Sequence, residues 1–323
     1  WCLSGVAVAG PFAHKTMQGT LPEHEVTRPL VLPKGWLEVA VLGDTKRSQT
    51  YRGSDGIERS HANGATWSHS RFWLQLRQGF SPHFTLYARV PWVYSALLPT
   101  AGPSTSTIAL GDVHTGLVWQ PRPAQPHALA FSFDLKSPSG LEWPSGTGSA
   151  SDTHSFLTGT GITNLSLYCH GKLVFGEVFS ASADVGYVRK IPGVVGYVTE
   201  IGGFGNGVLN PGDEWQANGH LTGQLGRMLW ARTAFRYRYL HQTWMGVSGP
   251  MGPRIVYPLR HTAGGWLVGA LALGFEPVSG WTIHADASRD FVGADSRTFA
   301  HLGLEEFSPQ PGLTLGGGVA VRW

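Results

Sequence analysis

The stretch Met228-Leu-Trp-Ala-Arg-Thr-Ala-Phe-Arg-Tyr-Arg-Tyr-Leu-His-Gln242 decides the fold of this chain. In an extended strand successive side chains point to opposite faces. Leu229, Ala231, Thr233, Phe235, Tyr237 and Tyr239 therefore share one face, and Arg232, Arg236 and Arg238 share the other. An arginine directed into lipid at the bilayer midplane costs roughly 2–4 kcal/mol. A strand with lipid outside and a polar lumen inside removes that cost, and it requires this division of faces.

The same division recurs along the chain. In Leu129–Lys136 the outward set is Leu129, Phe131, Phe133 and Leu135, and the lumen set is Ala130, Ser132, Asp134 and Lys136. Asp112–Gln120 places Val113, Leu117 and Trp119 in lipid and Asp112, His114 and Gln120 inside. In Trp215–Leu225 the inner set is Gln216, Asn218, His220, Thr222 and Gln224. Asp184, and Asp286 and Asp290 beside His284, oppose the arginines in charge, while Arg77, Arg89 and Arg322 add to the basic side. The final stretch, Leu313–Trp323, alternates up to an aromatic last residue that suits the interfacial girdle. It resembles the C-terminal signal by which bacterial outer-membrane barrels are recognised, so Val319, Val321 and Trp323 form the expected insertion signal. Outer-membrane lipid and the barrel-assembly machinery are then expected partners.

Bulk composition agrees. Only 14% of the 323 residues are charged, while Gly reaches 44 and Trp 13, a mixture unlike ordinary soluble domains or disordered tails. The mean hydropathy of −0.07 and the lack of an apolar run near eighteen residues exclude helical membrane insertion. A net charge of +3 on dispersed basic residues excludes nucleic-acid binding as a theme. Cys2 and Cys169 have no metal or haem spacing, and a disulfide between them on the periplasmic side is one option. The fourteen histidines show no compact ligand spacing, so neither a metal nor a cofactor is expected.

Twelve strands are predicted, near 36–42, 71–80, 84–95, 108–120, 127–137, 161–170, 173–189, 213–225, 228–242, 264–275, 280–292 and 312–323. Connections after the even-numbered strands are short, among them Ser81–His83, Gly171-Lys172, Gly226-Arg227 and Pro277–Gly280; those after the odd-numbered strands are long and rich in Gly, Ser, Thr and Pro. This is the pattern of an all-β, antiparallel up-and-down transmembrane barrel with both termini periplasmic. The expected division is an N-terminal periplasmic segment, 1–33, and a barrel, 34–323, in the bacterial outer membrane. Residues 1–9 read either as a signal-peptide remnant or as a flexible N-terminus. Residues 10–33 read as a tether or as a segment lying in the periplasmic mouth.

Several motifs occur in an order that resembles the outer-membrane family named after the meta-pathway of phenol degradation, from about residue 28 to 323. They are Arg28-Pro-Leu-Val-Leu-Pro-Lys-Gly35 before the first strand, Gly111-Asp112 followed by Val-His-Thr-Gly-Leu, the corner Leu135-Lys-Ser-Pro-Ser-Gly140, Gly159-Thr-Gly161 and Ala183-Asp-Val-Gly-Tyr187. The resemblance implies a monomeric, transporter-like barrel associated with breakdown of aromatic or hydrophobic compounds. It carries over no substrate-contact residue.

The expected function is passage or uptake of a small solute, an aromatic or hydrophobic compound or a small anion. The expected lumen lining is Asp112, His114, Asp134, Asp184, His220, Arg232, Arg236, Arg238, His284, Asp286 and Arg322. These charges either pair to brace a narrow barrel or form a selectivity lining. An alternative is a structural barrel with an occluded lumen that binds a periplasmic or outer-membrane protein partner. A third class is a barrel hydrolase using His69-Ser70, His154-Ser155 or His241, but neighbours in a strand face opposite ways and cannot act as nucleophile and base. No Gly-x-Ser-x-Gly motif is present, and no enzyme activity is expected.

Overall fold

The computed structural model describes residues 25–52, 58–60, 64–98, 100, 105–122, 127–140, 162–198, 204–242, 244–247, 255–258, 264–278, 280–293 and 313–323. Expectations for Cys2, for residues 1–24, for His154-Ser155 and for Gly159–Gly161 fall outside these residues. Among the described residues a 3₁₀ turn, Glu25–Thr27, precedes nineteen strands. In chain order they are β1 (Leu37–Ser48), β2 (Thr50–Arg52), β3 (Glu58–Ser60), β4 (Thr66–Ser81), β5 (Phe84–Leu98), β6 (Thr105–Leu110), β7 (His114–Trp119), β8 (Ala128–Lys136), β9 (Asn164–Phe175) and β10 (Phe179–Lys190). There follow β11 (Gly193–Val198), β12 (Phe204–Asn210), β13 (Glu214–Gln224), β14 (Leu229–Leu240), β15 (Trp244–Val247), β16 (Ile255–Pro258), β17 (Gly264–Phe275), β18 (Trp281–Gly293) and β19 (Leu313–Arg322).

Thirteen of these form one sheet in the order β4-β1-β19-β18-β17-β14-β13-β10-β9-β8-β7-β5-β6, and a further β4–β5 pairing closes it. β6 and β7 pair with successive halves of β5 and make one interrupted wall strand, so the barrel has the expected twelve. Every wall pairing among the described residues is antiparallel, as an up-and-down barrel requires. The last strand meets the first with Glu38 opposite Arg322 and Val41 opposite Val319. Trp323 then exchanges backbone hydrogen bonds with Leu37, at 2.8 and 3.0 Å. The β1–β19 and β4–β5 pairings close the wall into a ring, the condition for placing strands in hydrocarbon.

The outward rows are apolar and exposed: Leu271 is 67% exposed, Leu273 64% and Leu167 60%. Aromatics concentrate at both ends of the wall. Phe84, Trp119 and Phe131 stack across neighbouring strands at the short-connection end, and Tyr187 packs on Trp215 at the long-connection end. Two aromatic girdles around an apolar band are what a lipid bilayer selects. This architecture and surface place the chain in an outer membrane.

Three boundaries differ from the sequence expectation. β1 runs to Ser48 and β4 begins at Thr66, because Gly43-Asp-Thr-Lys46, expected to open the long connection 43–70, continues the strand with Asp44 and Lys46 facing inward. The turn expected at Gly171-Lys172 lies after Phe175 instead, where Gly176 takes the left-handed φ of 63°; Lys172 is an inward residue of β9. The connections also carry strands of their own. β11, β12, β15 and β16 form a separate four-stranded sheet, and β2 and β3 pair as a two-stranded one.

Cys169 is a correction too. It occupies an exposed position among the outward residues of β9, opposite Phe131 and Val185, and not a position at the short-connection mouth.

Candidate functional site: the lumen and its floor

Residues 25–34 turn into the barrel before β1 starts, and cross its lumen at the short-connection end. Pro33 sits against Gly79 of β4 so closely that a Cβ there would lie 2.0 Å from the Pro33 carbonyl oxygen. Arg77 of β4 donates to the Leu30 carbonyl at 3.3 Å, and the Leu32 amide donates to Thr85 Oγ1 of β5 at 2.7 Å. On other walls, Lys172 of β9 donates to the Arg28 carbonyl at 2.8 Å, and Arg232 of β14 pairs with Glu25 at 2.8 Å. Arg28 makes a two-point contact with Glu276, just past β17, at 2.7 and 2.8 Å. Val26, Val31 and Leu32 are buried among these contacts. The segment is thus a floor held by β4, β5, β9, β14 and the β17–β18 turn.

Beside it, Glu38 of β1 accepts from Arg77 at 3.1 Å, from Gln75 at 3.4 Å and from Arg322, while Arg322 also donates to Thr282 at 2.8 Å. Removing charges from water is expensive unless each meets a partner, and in this layer each does. Glu38, Glu276 and Arg28 side chains are only 3%, 6% and 9% exposed.

Above the floor some inward charges remain accessible, Arg71 at 44%, His114 at 35% and Asp286 at 34% exposed, while Asp112, Lys136, Lys190 and Glu214 are paired and buried. Arg71 of β4 meets Asp44 through Nε at 3.1 Å and Nη2 at 2.7 Å, and Lys46 meets Asp290 at 2.7 Å. His114 Nδ1 lies 3.2 Å from Asp134, which also accepts from the Tyr87 hydroxyl at 2.9 Å. His284 is 4.0 Å from Asp286. Arg238 binds Glu214 through Nη2 at 2.7 Å. Arg236 alone of the three β14 arginines makes no hydrogen bond or ion pair among the described residues.

All eleven expected lumen residues sit on, or next to, strands in inward register, but they do not form one site. Arg232 and Arg322 belong to the floor, and Asp112 to a corner of the wall. That corner joins two motifs read separately in the sequence. Asp112, in the break between β6 and β7, accepts from Lys136 at 2.9 Å and from the Gly140 amide at 3.2 Å. The Ser137 amide donates to the Val113 carbonyl at 2.9 Å, and Ser139 Oγ to the Gly111 carbonyl at 3.1 Å. Gly111-Asp112 and Leu135–Gly140 are therefore one structural unit.

Sequence reading missed Glu25, Arg28, Glu38, Glu214, Glu276, Arg71 and Asp44. Inward parity was available for Glu38, Glu214 and Arg71; Asp44 fell in the expected connection after the first strand, and Glu25 and Arg28 lie outside any periodic pattern.

A second omission is a linear series on three adjacent strands. Ser132 Oγ is 2.7 Å from His170 Nε2, His170 Nδ1 is 2.7 Å from Asp184 Oδ1, and His220 Nε2 is 3.4 Å from Asp184 Oδ2. The order of groups is that of nucleophile, base and orienter. Acyl transfer also needs donors converging on the developing oxyanion. β8 is paired on one edge with β7 and on the other with β9, so the amides flanking Ser132 are spent in the ladders. His69 and Ser70 face opposite ways, His69 toward the lumen beside Lys46 and Ser70 toward Thr45 on the outer face.

No family model and no curated relative matches the chain. Among solved structures it is similar to the COG4313 outer membrane channel from Pseudomonas putida F1, at 10% identity, with 91% of this chain and 97% of that one covered and a TM-score of 0.65. It is also similar to the translocator domain of the autotransporter NalP from Neisseria meningitidis, at 13% identity over 90% of each chain with a TM-score of 0.48. The TodX monoaromatic hydrocarbon channel is similar at 11% identity, over 90% of each chain, with a TM-score of 0.46. The first likeness is one of fold.

Proposed function

We propose that this chain is an outer-membrane channel for a small solute, an aromatic or hydrophobic compound or a small anion, whose short-connection mouth is closed by residues 25–34. The observation that carries this is the contrast between the segment's buried ion pairs, in which Arg28, Glu38 and Glu276 are held, and Arg236 above them, an exposed inward arginine with no hydrogen bond or ion pair among the described residues. The motif order supports membership in the meta-pathway phenol-degradation family. The short-connection end is assigned to the periplasm, with residues 1–33 as an N-terminal segment, 34–323 as the barrel and Val319, Val321 and Trp323 as the insertion signal. The Ser132 series is assigned to bracing the wall rather than to catalysis.

Planar-bilayer recording and liposome uptake test this. The full chain is expected to pass little solute, and the chain lacking residues 1–33 to give discrete conductance and faster uptake. No current and no uptake from either form would overturn the channel reading. A second reading, a closed barrel displaying its long connections to a protein partner, is favoured by the floor itself and predicts that null result.

A further inference from the structure

Of the three inward arginines of β14, one makes no hydrogen bond or ion pair among the described residues. On β14, Arg238 is taken by Glu214 and Arg232 by Glu25 and Thr222; Arg236 between them has neither a hydrogen bond nor an ion pair among the described residues. Asn218 stands opposite Arg236 in the β13–β14 register, yet its buried Oδ1 receives no hydrogen bond. The guanidinium is therefore directed into the lumen and not folded onto its neighbour.

The charges around it sharpen the point. Arg71 and Arg238 repel it, Arg71 from a strand five places away around the barrel. Asp184 attracts it, but the two oxygens of Asp184 already face His170 and His220. Arg71 has Nε and Nη2 held by Asp44, which leaves Nη1 for another acceptor. Flat aromatic rings lie beside both outer arginines: the Arg71 guanidinium is 4.9 Å from the Trp73 ring centroid, and that of Arg238 is 4.3 Å from Trp266. Stacking of this kind fixes a guanidinium plane and leaves its N–H edge open.

An unpaired arginine fork, a second arginine across a narrow lumen and two indoles define a recognisable ligand. A carboxylate takes two parallel N–H bonds from a guanidinium, and a flat apolar body suits aromatic walls. We propose that Arg236 anchors a lumen site for a small organic anion, a carboxylate borne on an aromatic or similarly flat body. Arg71 meets the same carboxylate from the far wall, and Trp73 and Trp266 flank the ring. This rests on the solute-channel reading and names its solute class, but binding to the vestibule does not require the floor to open.

The test is titration of the full chain in detergent micelles with benzoate, followed by tryptophan fluorescence. Benzyl alcohol supplies the ring without the charge, and acetate the charge without the ring. Benzoate is expected to bind saturably and about tenfold more tightly than either, the scale of one charge-assisted pair. Arg236→Gln is expected to weaken benzoate about tenfold and leave benzyl alcohol unchanged. Arg236→Lys, which keeps the charge but loses the fork, should fall between and serves if the glutamine variant does not fold. Equal benzoate binding by wild type and both variants overturns the proposal, as does benzyl alcohol binding as tightly as benzoate. Acetate binding as tightly as benzoate overturns the aromatic part. Benzoate binding without solute flux, even after removal of residues 1–33, supports the site while removing the channel reading; flux without benzoate binding does the reverse.

Discussion

The floor and the vestibule are built from the same side chains to opposite ends. Below, Arg28, Glu38, Glu276 and Arg322 are interlocked and shielded from water, and Glu25 ties them to the more exposed Arg232. Above, Arg236 is left without a partner and Arg71 is nearly half exposed. The difference shows that a charged lumen does not have one purpose. Where residues 25–34 cross the lumen, Arg28, Glu38 and Glu276 each meet an opposite charge, and higher up Arg236 meets none among the described residues.

Removing one carboxylate from the floor should have the largest effect. Glu38→Ala leaves Arg77 and Arg322 facing each other in a dry layer, and breaking a buried pair in this way costs about 3–5 kcal/mol. Urea unfolding in detergent should show a loss of that order; an unchanged midpoint would mean that the layer is wetter than its burial indicates.

Next comes an attack on the floor that leaves its charges alone. In Gly79→Val the new side chain must occupy the place of the Pro33 carbonyl, 2.0 Å from the Cβ position. The segment should unseat while β4 persists, with liposome uptake approaching that of the chain lacking residues 1–33. Uptake equal to wild type would show that the segment does not control passage.

Acid should loosen the floor more gently. Burial opposes ionisation of Glu25, but Arg232, Arg28, Arg322 and Lys172 outweigh it and hold the carboxyl at about 2, below its ordinary 4.5. A depressed value means that the docking free energy from this group is complete above pH 4.5 and disappears as the pH falls through about 2. Conductance of the full chain should rise over that window, and Glu25→Gln, already weakened at neutral pH, should respond less. Identical acid responses would assign the effect to other carboxylates.

The smallest effect on stability belongs to the residue with the largest expected effect on binding. Arg236→Gln removes no ion pair and relieves repulsion from Arg71 and Arg238, so the unfolding free energy should stay within about 0.5 kcal/mol of wild type. A loss comparable to that of Glu38→Ala would mean that Arg236 braces the wall after all, and the contrast between the two levels would fail.

The wall was legible because its physics is local. Period-two alternation assigns a face to each residue from its immediate neighbours, and the inward and outward sets of β8, β13 and β14 follow from that alone. Asp44 and Lys46 were misread because an inward row of short polar residues has the composition of a turn. Glu25 and Arg28 could not be read at all: they lie in no strand, and their partners Arg232 and Glu276 are 207 and 248 residues away. The Ser132–His170–Asp184 series needed the registers of three strands, which face assignment does not supply. Arg236 was picked out with its neighbours, but only the pairing of Arg232 and Arg238 separates it from them.

Those sequence separations also set a timetable. Arg28 grips Glu276 and Thr282 near one end of the wall order, while Leu30 and Leu32 grip Arg77 and Thr85 near the other. These partners lie on both sides of the β1–β19 seam and come together across the lumen when it closes, so the segment is expected to dock after β1 and β19 have joined. During refolding into bilayers, protease resistance of residues 25–34 should therefore be the last signal to appear, and it marks the moment at which an insertion intermediate has become a sealed protein.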